Sequence, residues 1–158
     1  MHDVKRILVV SRSTKYSQKG VHYGISLAKH LGAELYVLHL FDDAFRLEHW
    51  QLPIPSLQAL DEEYRSMQEK VKKDIDQVIH AEKVEGLPIQ VFIRDGDPVK
   101  QIIQTVEENK IDLLVIIAYH EGRLEHFLFG RTNEQLLREL PCSVLFVKKE
   151  PMKLPYWS

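Results

Sequence analysis

Residues 111–149 read IDLLVIIAYHEGRLEHFLFGRTNEQLLRELPCSVLFVKK, and this stretch decides the fold. Its first part, Leu113–Ala118, is apolar at every position, which is typical of a central strand covered by helices on both faces of a parallel sheet. A polar loop follows, then an apolar helical turn at Leu136–Leu140, then a second strand at Ser143–Val147. Ligands of open α/β sheets bind at the carboxyl ends of the strands. We therefore expect any function to lie in the loop between these two strands.

The rest of the chain alternates between strands and helices. Apolar runs predict further strands at Arg6–Val10, Leu35–Leu40 and Ile89–Ile93. Apolar residues at three- and four-residue spacing predict a helix after the first strand, a long helix over Ser56–His80, and a helix that opens at Asp97-Pro98. This order predicts an α/β fold, a doubly wound parallel sheet with right-handed crossovers and helices on both faces.

Particular residues mark the helix faces and ends. The first helix carries Val21, Ile25, Ala28 and Leu31 on one apolar stripe, and Gly32 follows where a left-handed C-cap residue belongs. The Asp97-Pro98 pair predicts an N-cap followed by proline at the first helical position. The long helix has the stripe Leu57, Leu60, Tyr64, Met67, Val71, Ile75 and Val78. His39, inside the second strand, is interpreted as a core or strand-end histidine rather than a ligand.

Length and composition limit the possible classes of protein. The 158 residues suffice for one domain, which we expect to span 1–149, with a C-terminal tail at 150–158. A formal net charge of -2 gives no basic field, so we expect no nucleic-acid partner. The single cysteine, Cys142, suits a reducing compartment. The N-terminal apolar run is too short for a membrane span, so we expect a cytoplasmic protein without membrane attachment.

Several segments, in order and with matching spacing, carry a resemblance to a known family. They are KRILVV, HLGAEL, LYVLHL, RDGDPVKQII, IDLLVIIA and the closing LLRELPCSVLFVKK. Together they resemble the universal stress protein family over nearly the whole chain. The resemblance implies a five-stranded parallel sheet of order 3-2-1-4-5.

Many members of that family bind ATP through a pattern Gly-x2-Gly-x9-Gly-Ser/Thr and an acidic residue at the end of the first strand. When the pattern is anchored on Gly130, its other positions fall on Ile117, His120 and Arg131, and the acidic position falls on Arg12. A side chain at Ile117 or His120 obstructs close approach of the backbone to phosphate, and Arg12 offers no acceptor to an adenine amino group. We therefore expect no cofactor, and no ATP binding in the family's standard way.

An altered site remains an alternative. Gly122 and Thr132 stand near the lost motif positions and could restore part of a phosphate loop for ATP or AMP. Arg12, Arg123 and Arg131 could recognise a small anion or a phosphorylated metabolite, since guanidinium groups bind carboxylate and phosphate through paired donors. Equally, these arginines could pair with nearby acidic residues and close the pocket. The candidate nucleotide or anion site comprises Arg12, His120, Gly122, Arg123, Gly130, Arg131 and Thr132.

Catalytic and metal-binding arrangements are not indicated. The segment HEGRLEH places His120 and His126 six residues apart, which is not a known metal-ligand spacing such as HExxH. No nucleophile, paired base or oxyanion motif accompanies His120, and Cys142 is interpreted as an inert packed thiol. We expect the protein to be no enzyme.

Partners are suggested by the last strand and by two aromatic segments. The resemblance implies a homodimer through the edge strand Ser143–Lys148, because an apolar edge with free backbone groups is a template for pairing. A protein partner could use the excursion Phe41–Pro55, which contains Trp50, or Tyr156-Trp157 in the tail. The excursion could instead tuck under the long helix. The leading interpretation is a non-enzymatic, homodimeric stress-response or regulatory protein.

Overall fold

The computed structural model describes residues 3–11, 14–40, 57–82, 85–117 and 137–147. These residues form five strands and three complete helices. A short helical segment at 137–139 leads into the last strand. In chain order the elements are β1 (Arg6–Ser11), α1 (Thr14–Leu31), β2 (Glu34–Leu40), α2 (Leu57–Ala81), β3 (Ile89–Arg94), α3 (Pro98–Asn109), β4 (Leu113–Ile117) and β5 (Ser143–Val147).

The five strands form one parallel sheet in the order β3-β2-β1-β4-β5. β1 lies in the middle, with Ile7 opposite Leu35 on one side and Leu113 on the other. The predicted fold class and the predicted strand order are both confirmed. Six of the ten strand ends are those predicted from the sequence, and the other four differ by one residue.

Alternation along each strand divides the core into two layers. Ile7 and Val9 of β1 lie in a cluster with the buried residues of α1 and α2, whereas Leu8 and Val10 lie in a cluster with those of α3. Each face of the sheet is therefore covered by helices, which explains why the central strands are apolar at successive positions.

The apolar stripe of α1 is buried along most of its length. Val21, Ile25 and Ala28 are inaccessible to solvent, but Leu31 is 47% exposed. The prediction that Leu31 belongs to the buried stripe is wrong, because Leu31 is the last residue of the helix and does not join either core cluster. Gly32 follows with φ of 64°, which confirms the predicted left-handed helix end.

The long helix α2 packs beside α1 on the same face of the sheet. Val71, Ile75 and Val78 are buried, and Tyr64 and Met67 pack against the same cluster. The side chain of His22 on α1 hydrogen-bonds Glu82, which directly follows α2. The two helices are thus joined by apolar packing and by a polar contact between the middle of α1 and the carboxyl end of α2.

Helix α3 begins and ends at residues with defined capping geometry. The Asp97 side chain accepts a hydrogen bond from the Lys100 amide at 3.0 Å, and Pro98 occupies the first helical position. This confirms the start predicted from the Asp-Pro pair. The C-cap residue after the helix is Lys110, a non-glycine residue whose φ of 51° and ψ of 52° lie in the left-handed region.

One carboxylate organises the amino-terminal edge of the sheet. Asp112, just before β4, accepts hydrogen bonds at 2.9 Å from the backbone N–H groups of both Lys5 and Arg6. The Asp112 amide donates in turn to the Arg6 carbonyl at 3.0 Å. These bonds fix the start of β1 against the start of β4.

Candidate functional site

The direction of winding reverses between β1 and β4. The chain passes from β1 outward to β2 and β3 on one side, then returns to place β4 on the other side of β1. In open α/β sheets the crevice at the carboxyl ends of such a strand pair is the usual ligand site. Since Val10 lies opposite Ile116, the strand ends at Ser11 and Ile117 bring the starts of both following loops together.

The predicted site residues follow those two strand ends in the sequence. Arg12, His120, Gly122, Arg123, Gly130, Arg131 and Thr132 all lie outside the described residues, so their placement in the site stays a prediction. The excursion Phe41–Pro55, Lys148, His126 and the tail at 150–158 also lie outside them.

Position 117 is within the described part. Ile117 is the last residue of β4 and stands opposite Val147 of β5 in the parallel register. The position at which the resemblance implied the first phosphate-loop glycine is therefore a strand residue at the carboxyl edge of the sheet.

His39 lies near the same edge, one strand away from the reversal. It is 1% exposed and stands opposite Ser11 of β1 and Ile93 of β3. Burial lowers the pKa of His39 to about 4. The imidazole is thus neutral at neutral pH and adds no positive charge to this edge, which agrees with its interpretation as a core histidine.

A guanidinium at the carboxyl end of β3 was not singled out in the sequence. Arg94 donates from Nη2 to Glu108 Oε2 at 3.1 Å, and its Cζ lies 5.2 Å from the centroid of the Phe92 ring. The Arg94 guanidinium therefore already contacts Glu108 and Phe92 within this chain. The sequence signal was only a charged residue ending an apolar strand.

Cys142 sits just before β5 and packs against the core cluster that contains α3. Burial raises the pKa of its thiol, and the nearby Asp112 carboxylate acts in the same direction, although a backbone hydrogen bond involving Leu114 opposes them. A thiol with a raised pKa is mostly protonated at neutral pH and is a poor nucleophile. The structure agrees with the interpretation of an inert thiol.

β5 forms one edge of the sheet. It pairs with β4, and its residues SVLFV include no charged side chain. Phe146 is 38% exposed and Val144 and Leu145 are partly buried. The described geometry thus matches the apolar edge that was predicted at Ser143–Lys148, up to Val147.

The described ranges contain neither a metal-ligand cluster nor a membrane-spanning helix. Within them, no three His, Cys, Asp or Glu side chains are grouped so that they could hold a metal ion. Of the helices in that part of the chain, none has the length and apolar character needed to cross a membrane.

The strand order and the helices on both faces of the sheet define a doubly wound α/β protein. A sequence model of the universal stress protein family matches residues 3–148, and the chain belongs to that family. The confirmed resemblance thus covers all of the described residues.

Three relatives are similar over most of their lengths. Universal stress protein MJ0531 of Methanocaldococcus jannaschii is 28% identical over 150 residues, which cover 92% of this chain and 82% of that protein. The solved structure of universal stress protein UspA from Lactobacillus plantarum has a TM-score of 0.64 at 20% identity, with 94% and 100% of the two chains covered. The structure of a universal stress protein in complex with cAMP has a TM-score of 0.57 at 15% identity, with 93% and 98% covered.

Proposed function

We propose that this chain is a non-enzymatic, cytoplasmic stress-response or regulatory protein, a homodimer whose nucleotide site departs from the family's ATP-binding pattern. The position of Ile117 supports the proposed departure from the ATP-binding pattern. This residue stands at the position of the first glycine in the family pattern, and it ends β4 beside the crevice. A residue with a Cβ there keeps a phosphate from the close backbone approach that glycine allows.

The sequence around Ile117 supports the same conclusion. Arg12 stands where the family pattern has a carboxylate, and His120 stands where it has its second glycine. A guanidinium has donors only and cannot accept from an adenine amino group. The proposal therefore predicts that Mg-ATP has no tight site on this protein.

Ligand titration tests this part of the proposal. Thermal unfolding of the purified protein would be followed with Mg-ATP, AMP and inorganic phosphate, on the wild type and on Arg131→Ala. A ligand present at about a hundredfold excess over its Kd stabilises the folded state by about 2.7 kcal/mol. We expect no shift with any of the three; a shift with Mg-ATP that Arg131→Ala abolishes would refute the proposal.

A second function is favoured by the likeness to a universal stress protein in complex with cAMP. In this alternative the protein is a sensor of a nucleotide or small anion, held by Arg12, Arg131 and a helix N-terminus that we expect at Gly130. Backbone N–H groups at a helix start favour anions. Adding cAMP to the same titration addresses this alternative: a shift with cAMP or phosphate that is lost in both Arg12→Ala and Arg131→Ala would replace the first function by the second.

The homodimer is supported by the character of β5. An edge strand with unpaired backbone groups, no charged residue and a part-exposed Phe146 is suited to pairing with a second copy about a two-fold axis. Sedimentation equilibrium of the wild type and of Phe146→Glu tests it. Leu31→Glu is the matched control, because Leu31 is a similarly exposed apolar residue at the end of α1. We expect Phe146→Glu alone to sediment as a monomer; a monomeric wild type would refute the dimer.

A further inference from the structure

The two edges of the sheet differ in their chemistry. Among the strands that the structure describes, β3 ends the sheet on one side and β5 on the other. β5 has no charged residue, whereas β3 reads IQVFIR, with Gln90 exposed and Arg94 at its end. Apart from these two, β3 is apolar, so its composition alone would favour pairing with another strand.

The two faces of β3 are protected in different ways. Ile89, Val91 and Ile93 pack against the core cluster beneath α1 and α2. On the other face, Phe92 is only partly buried and stacks on Tyr36 of β2, with ring centroids 6.4 Å apart and planes 10° from parallel. The Phe92 ring is therefore the apolar group that β3 offers to solvent on this face.

Arg94 covers that ring. Its guanidinium carbon lies 5.2 Å from the centroid of Phe92, a cation–π distance. Glu108 on α3 holds the guanidinium there through the 3.1 Å hydrogen bond, and Gln104 donates to the other carboxylate oxygen at 2.6 Å. Hydrogen bonds from Gln104 and Arg94 lower the pKa of Glu108, so the pair stays ionised. Glu108 of α3 thus holds the Arg94 guanidinium over the Phe92 ring.

A strand that paired with the free edge of β3 would contact Arg94 and the Phe92 ring that it covers. In an antiparallel pairing of two β3 strands about a two-fold axis normal to the sheet, a register that places Phe92 opposite Phe92 also places Arg94 opposite Gln90. The two phenyl rings could then form a favourable cross-strand pair. The incoming side chains would, however, strip water from the ion pair formed by Arg94 and Glu108, and desolvating such a pair is unfavourable.

We propose that Arg94, held by Glu108, keeps a second copy of this chain from adding to the β3 edge. Association is thereby confined to the β5 edge, and a closed dimer forms instead of an open-ended assembly. The closed dimer of the wild type rests on the proposed pairing through β5. The protection of β3 does not depend on that dimer, because it is argued from the contacts of Arg94.

Sedimentation velocity over a range of protein concentrations tests the proposal. Arg94→Val removes the guanidinium and is expected to produce species larger than the wild type, increasing with concentration. Arg6→Val is the matched control, because Arg6 pairs with Glu34 at 3.7 Å on the same face but lies on the central strand β1. We expect Arg6→Val to sediment like the wild type, with circular dichroism confirming that both variants are folded.

A double variant separates edge pairing from nonspecific aggregation. Gln90 and Arg94 lie on the same face of β3, so Arg94→Val combined with Gln90→Lys returns a positive charge to that face. We expect the double variant to sediment like the wild type. If Arg94→Val does not fold, Glu108→Gln, which loosens Arg94, is expected to associate in the same direction to a smaller extent.

The outcomes are distinct. Folded Arg94→Val that sediments like the wild type, or association that Gln90→Lys leaves unchanged, would overturn the proposal. If Arg94→Val does not fold, a Glu108→Gln variant that sediments like the wild type would also overturn the proposal. A monomeric wild type together with a dimeric Arg94→Val would refute the β5 dimer and support the protection of β3.

Discussion

Gly24 of α1 lies so close to Val9 of β1 that a Cβ atom added to Gly24 would stand 2.5 Å from Val9 Cγ2. The same atom would stand 2.9 Å from Cδ1 of Leu35 on β2. Both distances are too short for carbon atoms. The absence of a side chain at Gly24 is therefore what allows α1 to lie directly on the two central strands.

Gly24→Ala is expected to destabilise the protein although alanine favours helices. Alanine gains about 1 kcal/mol of helix propensity over glycine, but overpacking a buried site costs about 1–3 kcal/mol. We expect a net loss of about 1 kcal/mol, measured by urea unfolding. Lys29→Ala, on the exposed side of the same helix, is the control and should change the midpoint little. A more stable Gly24→Ala variant would mean that the sheet can move away from the helix.

Stability should depend on pH through His39. The pKa of this buried imidazole is about 4, against 6.5 for an unperturbed histidine, so the unfolded chain takes up the proton first. The free energy of unfolding is then unaffected above pH 6.5 and falls as the pH drops toward 4, by about 3 kcal/mol in all. His39→Gln does not titrate and should lose this part of the pH dependence in urea melts between pH 4 and 7.5. An unchanged slope in His39→Gln would contradict the assignment.

Lys110 is the non-glycine residue in the left-handed region at the end of α3. A residue with a side chain costs about 1–2 kcal/mol in the left-handed region, and substitution by glycine removes this cost. Part of the gain is lost because glycine makes the unfolded chain more flexible. Lys110→Gly should therefore raise the free energy of unfolding by about 0.5–1 kcal/mol. Lys100→Gly, inside the same helix, should lower it by about 1 kcal/mol. Equal effects of the two substitutions would show that backbone conformation does not decide the result.

Asp112 should contribute to stability through its two backbone donors. Asp112→Ala leaves the Lys5 and Arg6 amides without this acceptor, and we expect a loss of about 1–2 kcal/mol because the site is open to water, which replaces part of the bonding. Asp112→Asn keeps one acceptor oxygen and should lose less. Chemical denaturation of the three proteins measures this order. Alanine and asparagine variants of equal stability would indicate that charge, not acceptor geometry, matters.

The sequence predicted the elements that depend on local pattern. The apolar run before Ala118, the stripe of Val21, Ile25 and Ala28, and the Asp97-Pro98 helix start were all found in place, because each follows from local periodicity or capping. The strand order came from the family resemblance, since periodicity does not say which strands are neighbours.

Features that depend on distant parts of the chain could not be predicted. The clash that excludes a side chain at Gly24 requires β1 and β2 to be in place, and the bonds of Asp112 join residues more than a hundred positions apart. Leu31 was assigned to the core from spacing, but spacing does not show where packing against the sheet stops. The candidate ligand residues lie outside the described ranges, so the structure gives only the strand ends that precede them.

The central position of β1 has a consequence for synthesis of the chain. β1 is made first, yet its second neighbour, β4, emerges only after residue 112. A nascent chain that ends before β4 can form the order β3-β2-β1 with RILVVS as a bare edge. Such an edge is prone to aggregate. The chain is thus most vulnerable after β3 has been translated and before β4 has, and a ribosome that stalls there would release a fragment whose β1 strand is paired on one side only.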